Sequence, residues 1–496
     1  MLRVHAAAAA LLLAAPSTAA ASPLFELVGG VQGHGGLNAR ATEAGAASAY
    51  FNPAFLTLTR PSLEAGVFVL NDRIAIRLDE RPSPSVDVPV GFQNATSPTG
   101  ASLPSYALPT SWLNSGNRDL PPRPRQQGGS SDGVRGYLVL GGVAQWFEGR
   151  LALGVYTMIP SGQYTGAQAF FVDEREQYFT NSLHAELYSD RMTATSLAFG
   201  VGVRVSERLS LGLAATLGLG ATATTPTFLN DISRFQDLRI DAKVGVDVAL
   251  SPHVGAVYQL SDDVQLAATL HTPQKFEVVT DFTFLVANGI YQRAQIGFIH
   301  HYLPLQIGFG GSYQAYRSGD DALLLVGNLL YAHWSQYQDR HTERPLEPYA
   351  WYDTVTPSIG ARLAHGSLSA LLDAVYQPTP VPDQTGRTNY VDNTRIGTSA
   401  GGEYAWPLGK GELVIGMRAE VHGLPTRTTR KLGRSTPLGD GNDSADFVLD
   451  EVPDDATVGG QPLAGREGLQ TNNPGWPGFE SSGWVLGGSA FVRYRY

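Results

Sequence analysis

The chain contains no cysteine, which excludes a disulfide framework, thiolate catalysis and cysteine-ligated zinc. It is also short of charge: 16% of its 496 residues are Asp, Glu, Lys or Arg, against roughly 25% in soluble domains. The charge it has is negative on balance, −10 at pH 7, so a basic nucleic-acid footprint is excluded. Long apolar runs are missing after residue 21, where nothing approaches the roughly 18 continuous apolar residues of a spanning helix. If the chain crosses a membrane, it does so as strands. A soluble periplasmic protein is the other possibility at this point.

What is present begins with an export signal. Arg3 and His5 give a positive start, Ala6–Ala15 an apolar core, and Ala19-Ala20-Ala21 a small-residue cleavage site, so residues 1–21 read as a signal peptide. Ser22–Arg60 follows, rich in Gly, Ala and Ser, with Glu26, Arg40, Glu43 and Arg60 among its few charges. It has too little apolar bulk to fold alone, but small residues let backbone pack closely in a confined space. Asn52-Pro53-Ala54 closes it, and the residue before proline is pushed out of the helical region. The segment reads as a plug inside something larger.

Beyond Arg60 the period is two. Leu197, Phe199, Val201, Val203 and Val205 alternate with Ala198, Gly200, Gly202, Arg204 and Ser206, and Leu209–Leu219 repeats the pattern after a tight turn. Val244–Leu260 alternates for about three times the usual length of a soluble strand, roughly 5–6 residues, which favours a tilted membrane strand over a sandwich. Further strands are expected at about 298–316, 351–364 and 483–496, among others, and the total is about 14, an even number as such barrels require. Connections at Glu148–Arg150, Ser206–Arg208, Ser261–Asp263, Arg317–Asp320, His365–Ser367 and Pro407–Gly411 are short. Those near 80–133, 159–190, 223–238, 280–297, 334–350, 378–392 and 424–482 are long. Short turns on one side and long loops on the other place both chain ends in the periplasm. Tyr404, Tyr494 and Tyr496 fall where an interfacial aromatic girdle would lie. The expected fold is all-β: a 14-stranded antiparallel transmembrane β-barrel over residues 61–496, with residues 22–60 as a small hatch in its lumen.

Three stretches carry a resemblance. The first is the small-residue segment closing on Asn52-Pro53-Ala54. The second is Leu330-Tyr331-Ala332-His333-Trp334-Ser335-Gln336-Tyr337-Gln338. The third is Thr379-Pro380-Val381-Pro382-Asp383-Gln384, followed by Asp392-Asn393-Thr394-Arg395 and Ser399-Ala400-Gly401-Gly402-Glu403-Tyr404. Together they resemble the FadL-type outer-membrane transporters of long-chain fatty acids and hydrocarbons. The resemblance implies passive uptake of a hydrophobic small molecule in the bacterial outer membrane, amid lipid and lipopolysaccharide. It implies capture in an apolar groove of the outer loops, passage into a lumenal pocket, and exit through the hatch or a kinked third strand. The long loops at 80–133 and 424–482 depart from a minimal member of the family.

Candidate residues follow. Phe228, Ile232 and Phe235 have the spacing of one face of a short helix, and Phe282, Phe284 and Leu285 form an apolar run in the next long loop. They line a capture groove or pack the top of the barrel. Pro160 and Gly162 mark a kink or an ordinary strand end. Asn52-Pro53 reads as a structural stop more readily than as a ligand contact. Arg340 and Arg395 are candidate partners for a fatty-acid carboxylate. No metal or cofactor is expected: His300-His301 is adjacent rather than spaced four apart, and no Gly-x-Ser-x-Gly elbow appears. Asp440, Asp443, Asp446, Asp450, Glu451, Asp454 and Asp455 read as a solvated acidic loop or a Ca²⁺ or lipopolysaccharide bridge. The reading is a monomeric transporter, not an enzyme. Its rivals are a general polar porin, and an adhesin or membrane-embedded enzyme working through the long loops.

Overall fold

The computed structural model describes residues 23–80, 128–162, 183–188, 192, 195–229, 238–240, 243–286, 290–339, 342–345, 349–434, 447–449, 457–458, 461–462, 469 and 473–496. The signal-peptide expectation and the acidic group at 440–455 lie outside them.

Alternation with no break longer than a turn leaves each segment one apolar face, and such faces are satisfied when strands pair edge to edge. Fourteen strands form the ring: β1 (Ser62–Leu78), β2 (Gly128–Trp146), β3 (Leu151–Pro160), β4 (Ser196–Arg204), β5 (Leu209–Leu229), β6 (Lys243–Gln259), β7 (Val264–His271), β8 (Gln306–Ser318), β9 (Asp321–Ala332), β10 (Thr354–His365), β11 (Leu368–Gln377), β12 (Arg395–Leu408), β13 (Gly411–Arg430) and β14 (Gly478–Arg495). Every neighbour in the ring is antiparallel, and β1 closes it by pairing with β2 through Ser62↔Val143 and with β14 through Ser62↔Arg495. Closure leaves the ring no open edge, which a sheet in lipid requires.

The large apolar side chains point outward. Leu63, Val67 and Val69 of β1 are exposed while Glu64 and Phe68 between them are buried, and the same holds for Phe199, Val201 and Val203 against Ala198. On β14, Leu486 and Val492 face out and Arg493 faces in. The result is a greasy belt on the outside of the ring, with buried charges such as Glu64 and Arg493 on the inside. Tyr404 and Trp406 pack 4.5 Å apart and Tyr494 and Tyr496 6.2 Å apart at the short-turn end of that belt.

The lumen is filled by residues 23–60. A short helix α1 (Pro23–Val28), a glycine-rich turn, α2 (Ser48–Phe51) and a 3₁₀ helix at Pro53–Thr57 make up this segment. Leu24, Phe25, Val28, Tyr50, Phe51 and Leu56 are buried against inward side chains such as Phe68, Tyr137 and Tyr156, so the apolar core sits inside the ring. On that side the wall is made of small residues because backbone meets backbone: a Cβ at Gly212 would stand 2.3 Å from Ala54 N.

Several boundaries differ from the sequence expectation. The strand expected at 298–316 is two pieces, separated at Pro304-Leu305: one arm of a hairpin and β8. Proline supplies no ladder donor, which explains the break. The hairpin, Gln274–Val286 with Ile290–Leu303, occupies what was expected to be a loop at 280–297. Its first arm lies parallel to β5, Thr280–Phe284 beside Ala223–Thr227. The helix expected around Phe228 is absent at that residue: β5 continues through Leu229, and Phe228 pairs with Arg239. At Phe228 the ladder with Leu238–Ile240 outweighs the helical spacing.

Candidate functional site

The irregular backbone of residues 23–60 carries carbonyls that no helix or sheet satisfies, and burial makes each of them costly unless a donor is supplied. The wall supplies donors, mostly arginine. Arg418 donates to Gly30 O (2.5 Å) and Val28 O (2.8 Å), Arg362 to His34 O (2.5 Å) and Gly35 O (2.8 Å), and Arg395 to Leu27 O (2.8 Å). Across the lumen Arg204 donates to Thr57 O (2.7 Å) and Gln145 to Leu56 O and Thr59 O. A guanidinium presents five donors in a fixed fork, so one side chain can hold two carbonyls and a carboxylate.

Four wall arginines are charge-balanced. Arg362 pairs with Asp373 (2.7 Å), Arg418 with Glu420 (2.7 Å), Arg493 with Glu64 (3.0 Å) and Arg495 with Glu403 (3.0 Å). Asp373 also accepts from Leu37 N (2.9 Å) and Asn38 Nδ2 (2.8 Å), which ties the plug turn to the pair. Gly36 sits in that turn at φ 55°, and a Cβ there would be 2.0 Å from Asp373 Oδ2, so only glycine fits. Asn52 makes its contacts within the same segment. Its Oδ1 caps Ala54 N (3.2 Å) and its Nδ2 donates to Arg40 O (3.1 Å).

A cavity of about 80 Å³ remains between α1 and the wall strands β8–β12. Pro23, Glu26, Leu27 and Arg40 form its plug side; Gln306, Asn328, Thr356, Gln377 and Arg395 belong to its wall side. Arg395 is the exception to charge balance there. It is buried, and among the described residues it binds only neutral oxygens, Leu27 O and Gln377 Oε1 (2.5 Å), and its Nε has no partner.

The other two sequence stretches meet above this cavity, at the long-loop end. Trp334 and Tyr337, just past β9, pack with Trp351, Tyr390 and Val381 in one buried cluster, and the Tyr337 and Trp351 rings stack at 3.5 Å. Asp392 accepts from Thr379 Oγ1 (2.5 Å), and Asp392 O accepts from Arg427 (3.1 Å). Burial pushes the Asp392 carboxyl up to about 7 from 3.8. Its folded value lies above the unfolded one, so its contribution to stability is full below pH 3.8 and is lost as pH rises through about 7. The protection factors of residues 379–393, exchange corrected for the intrinsic rate at each pH, are therefore expected to fall between about pH 4 and about pH 7, and D392N is expected to abolish that dependence. Equal pH dependence in the variant would contradict the assignment.

Of the remaining candidates, Pro160 is the last residue of β3 and Gly162 lies in the bend after it. β2 continues past the end of β3 to Gly128 and β5 past the start of β4 to Leu229, so the described wall is lowest at β3 and β4. Phe228 of β5 and Phe282, Phe284 and Leu285 of the hairpin are brought onto adjoining strands. Ile232, Phe235 and Arg340 lie outside the described residues. The wall arginines other than Arg395 were missed from sequence. Their signal is an inward position on an alternating strand, occupied by a charge instead of a small residue.

A Ser/His/Asp group does occur at the rim, and its geometry argues against a catalytic triad. Ser335 Oγ (3.3 Å) and Asp353 Oδ2 (2.9 Å) both approach the same nitrogen of His333, Nδ1, whereas a relay needs one partner on each nitrogen. Among the described residues no group of three or more metal-binding side chains is assembled.

No family model matches the chain, and no curated protein matches it. Among solved structures it is similar to a Pseudomonas aeruginosa FadL homologue, at TM-score 0.53 and 14% identity over 96% of this chain and 98% of that one. The fold is that of a FadL homologue. The P. putida toluene transporter TodX (TM-score 0.48, 12% identity, 97% and 99% covered) and the Ralstonia pickettii toluene transporter TbuX (0.43, 13%, 97% and 99%) are also matched. The FadL-type fold accounts for the closed ring; the charge pairs and the cavity are read from this chain's own residues.

Proposed function

We propose that the protein is an outer-membrane transporter that takes up hydrophobic compounds passively through a plugged barrel, with both chain ends in the periplasm. The observation that carries this reading is the occupied lumen. Residues 23–60 pack inside a closed ring that is greasy outside, and a lumen so occupied is a poor path for sugars or ions. An apolar solute gains about 25 cal/mol per Å² on entering an apolar pocket, so a chain of pockets serves it where a water-filled pore does not. In this scheme cargo enters between the hairpin and β5, near Phe228, Phe282 and Phe284, and passes to the cavity beside α1. It leaves past the hatch or through the low wall after Pro160. Arg395 is the partner for an anionic head group, since it lacks a carboxylate of its own.

Cells or liposomes bearing the protein are expected to take up a labelled long-chain fatty acid or an aromatic hydrocarbon while remaining closed to sugars in a swelling assay. Strong sugar flux would contradict the reading and favour a polar porin. R395Q is expected to weaken carboxylate binding by about 1.5–3 kcal/mol, roughly 10- to 100-fold, and to leave hydrocarbon binding unchanged. An equal loss for both ligands would remove Arg395 from the head-group role.

A further inference from the structure

We propose that the hatch is held shut by a pH-sensitive latch, the His253–His271 pair packed against Tyr50 and Phe51, which loosens when the imidazoles are protonated. The two rings lie 4.1 Å apart, both buried, with the Tyr50 ring 5.3 Å from one and 5.1 Å from the other. His271, the last residue of β7, joins wall to plug by both nitrogens: Nδ1 is 3.3 Å from Arg40 Nη2 and Nε2 is 3.3 Å from Phe51 O. A guanidinium can only donate and a carbonyl can only accept, so Nδ1 is bare and Nε2 carries the proton. The latch therefore requires the neutral ring. Adding a proton to Nδ1 removes the bond to Arg40 and places a second positive charge against it.

His253, on β6, is poised similarly. Its Nε2 is 2.6 Å from Thr216 Oγ1 and 3.3 Å from Gln274 Nε2, while its Nδ1 and Gln274 Oε1 have no partners among the described residues. A charge on either ring is felt by the other across 4.1 Å of buried space. The charged groups facing the pair are Arg40, which opposes protonation, and Glu26 of α1. Glu26 is already engaged by Arg40 (2.7 Å) and by Tyr50 OH (2.5 Å). Tyr50 is the other titratable neighbour. Arg40, Glu26, Phe51 and Gln306 also line the cavity, so a proton that reaches the cavity reaches the latch. Arg40 is thus the joint of the device. Its ties to Glu26, His271 and Gln306 (2.8 Å) bind helix, wall and plug together, and acid cuts the tie to the wall at His271.

The inference rests on the hatch reading, and the experiment separates the two. Ion current through the full-length protein in planar bilayers is followed from about pH 7.5 down to about pH 4, because burial and the Arg40 charge both oppose protonation of the pair. A reversible rise of about tenfold or more at the lower pH is expected. H271Q supplies an acceptor to Arg40 and a donor to Phe51 O without titrating, and is expected to stay closed at both pH values; H253Q is the second variant, expected to blunt the rise. Asp392 ionises as pH rises, so it acts in the opposite direction. A wild-type current that does not change with pH, or an equal rise in H271Q and H253Q, overturns the latch. If a barrel without residues 23–60 is no leakier than the full chain, the hatch reading falls and the latch with it.

Discussion

A barrel without residues 23–60 will carry a steady ion current, where the full-length chain holds a closed baseline. The expectation follows from where the plug's contacts lie. Removing it leaves the ring of fourteen strands untouched, because no ladder bond runs through those residues. What it exposes is a lumen lined by Arg395 and by Arg362, Arg418 and Arg493 with their carboxylate partners. Water solvates such groups, so the cost of losing the plug carbonyls is small once the interior is wet. Barrels of 8 strands are filled by side chains and those of 16–18 strands hold an aqueous channel, and the small inward residues of β3–β6 leave this ring nearer the second case. Planar-bilayer recording and sugar swelling both read the outcome. A deletion barrel that stays as closed as the parent would mean that the wall or the long loops block the path, and would remove residues 23–60 from the gating role.

Asp373→Ala will have the largest effect of any single substitution in the lumen. Its carboxylate is fully buried and holds four groups at once: Arg362 Nη1 and Nη2, Leu37 N and Asn38 Nδ2. Truncation leaves the guanidinium of Arg362 buried without its counter-charge, and breaking such a pair from one side costs about 3–5 kcal/mol. Two results are expected: a lower thermal midpoint, and faster hydrogen exchange at residues 35–38 with raised leak current, since the plug turn loses its anchor. Arg60→Ala is the control. That guanidinium meets Glu412 at 2.9 Å but is mostly solvent-exposed, so its loss is expected to cost under about 1 kcal/mol. If Asp373→Ala and Arg60→Ala behave alike, the wall pairs do not hold the plug.

The barrel was legible in the sequence because its signal is written twice. Alternation at Leu197–Val205 and Leu209–Leu219 fixes strands, and the outward turn of the large residues is the same fact seen in space. The small residues opposite them, Gly200, Gly202 and Gly212, were visible as small but not as the contact face of the plug. The hairpin at 274–303 was hidden because Phe282, Phe284 and Leu285 read as an apolar loop; the second arm of the hairpin pairs with all three, and β5 lies parallel to Phe282 and Phe284. Least legible was the charge. Arg362 and Asp373 are eleven residues apart on neighbouring strands, and nothing in their spacing says that they share a bond or that Leu37 and Asn38 complete it. Register across a ring, not local pattern, decides which charges meet.

The chain's lack of cysteine makes the central claim directly testable. A Cβ built on Gly154 lies 3.3 Å from the Ala49 Cβ, close to the separation of about 3.5–4.5 Å that a disulfide spans, and 2.4 Å from Leu56 Cδ2, so the tip of the Leu56 side chain has to turn aside to admit the bond. An A49C/G154C double variant, oxidised in membranes, is expected to form one intramolecular bond nearly quantitatively and to leave no thiol open to maleimide. Two free, maleimide-reactive thiols after oxidation would contradict the account, because they would put residues 23–60 outside the ring.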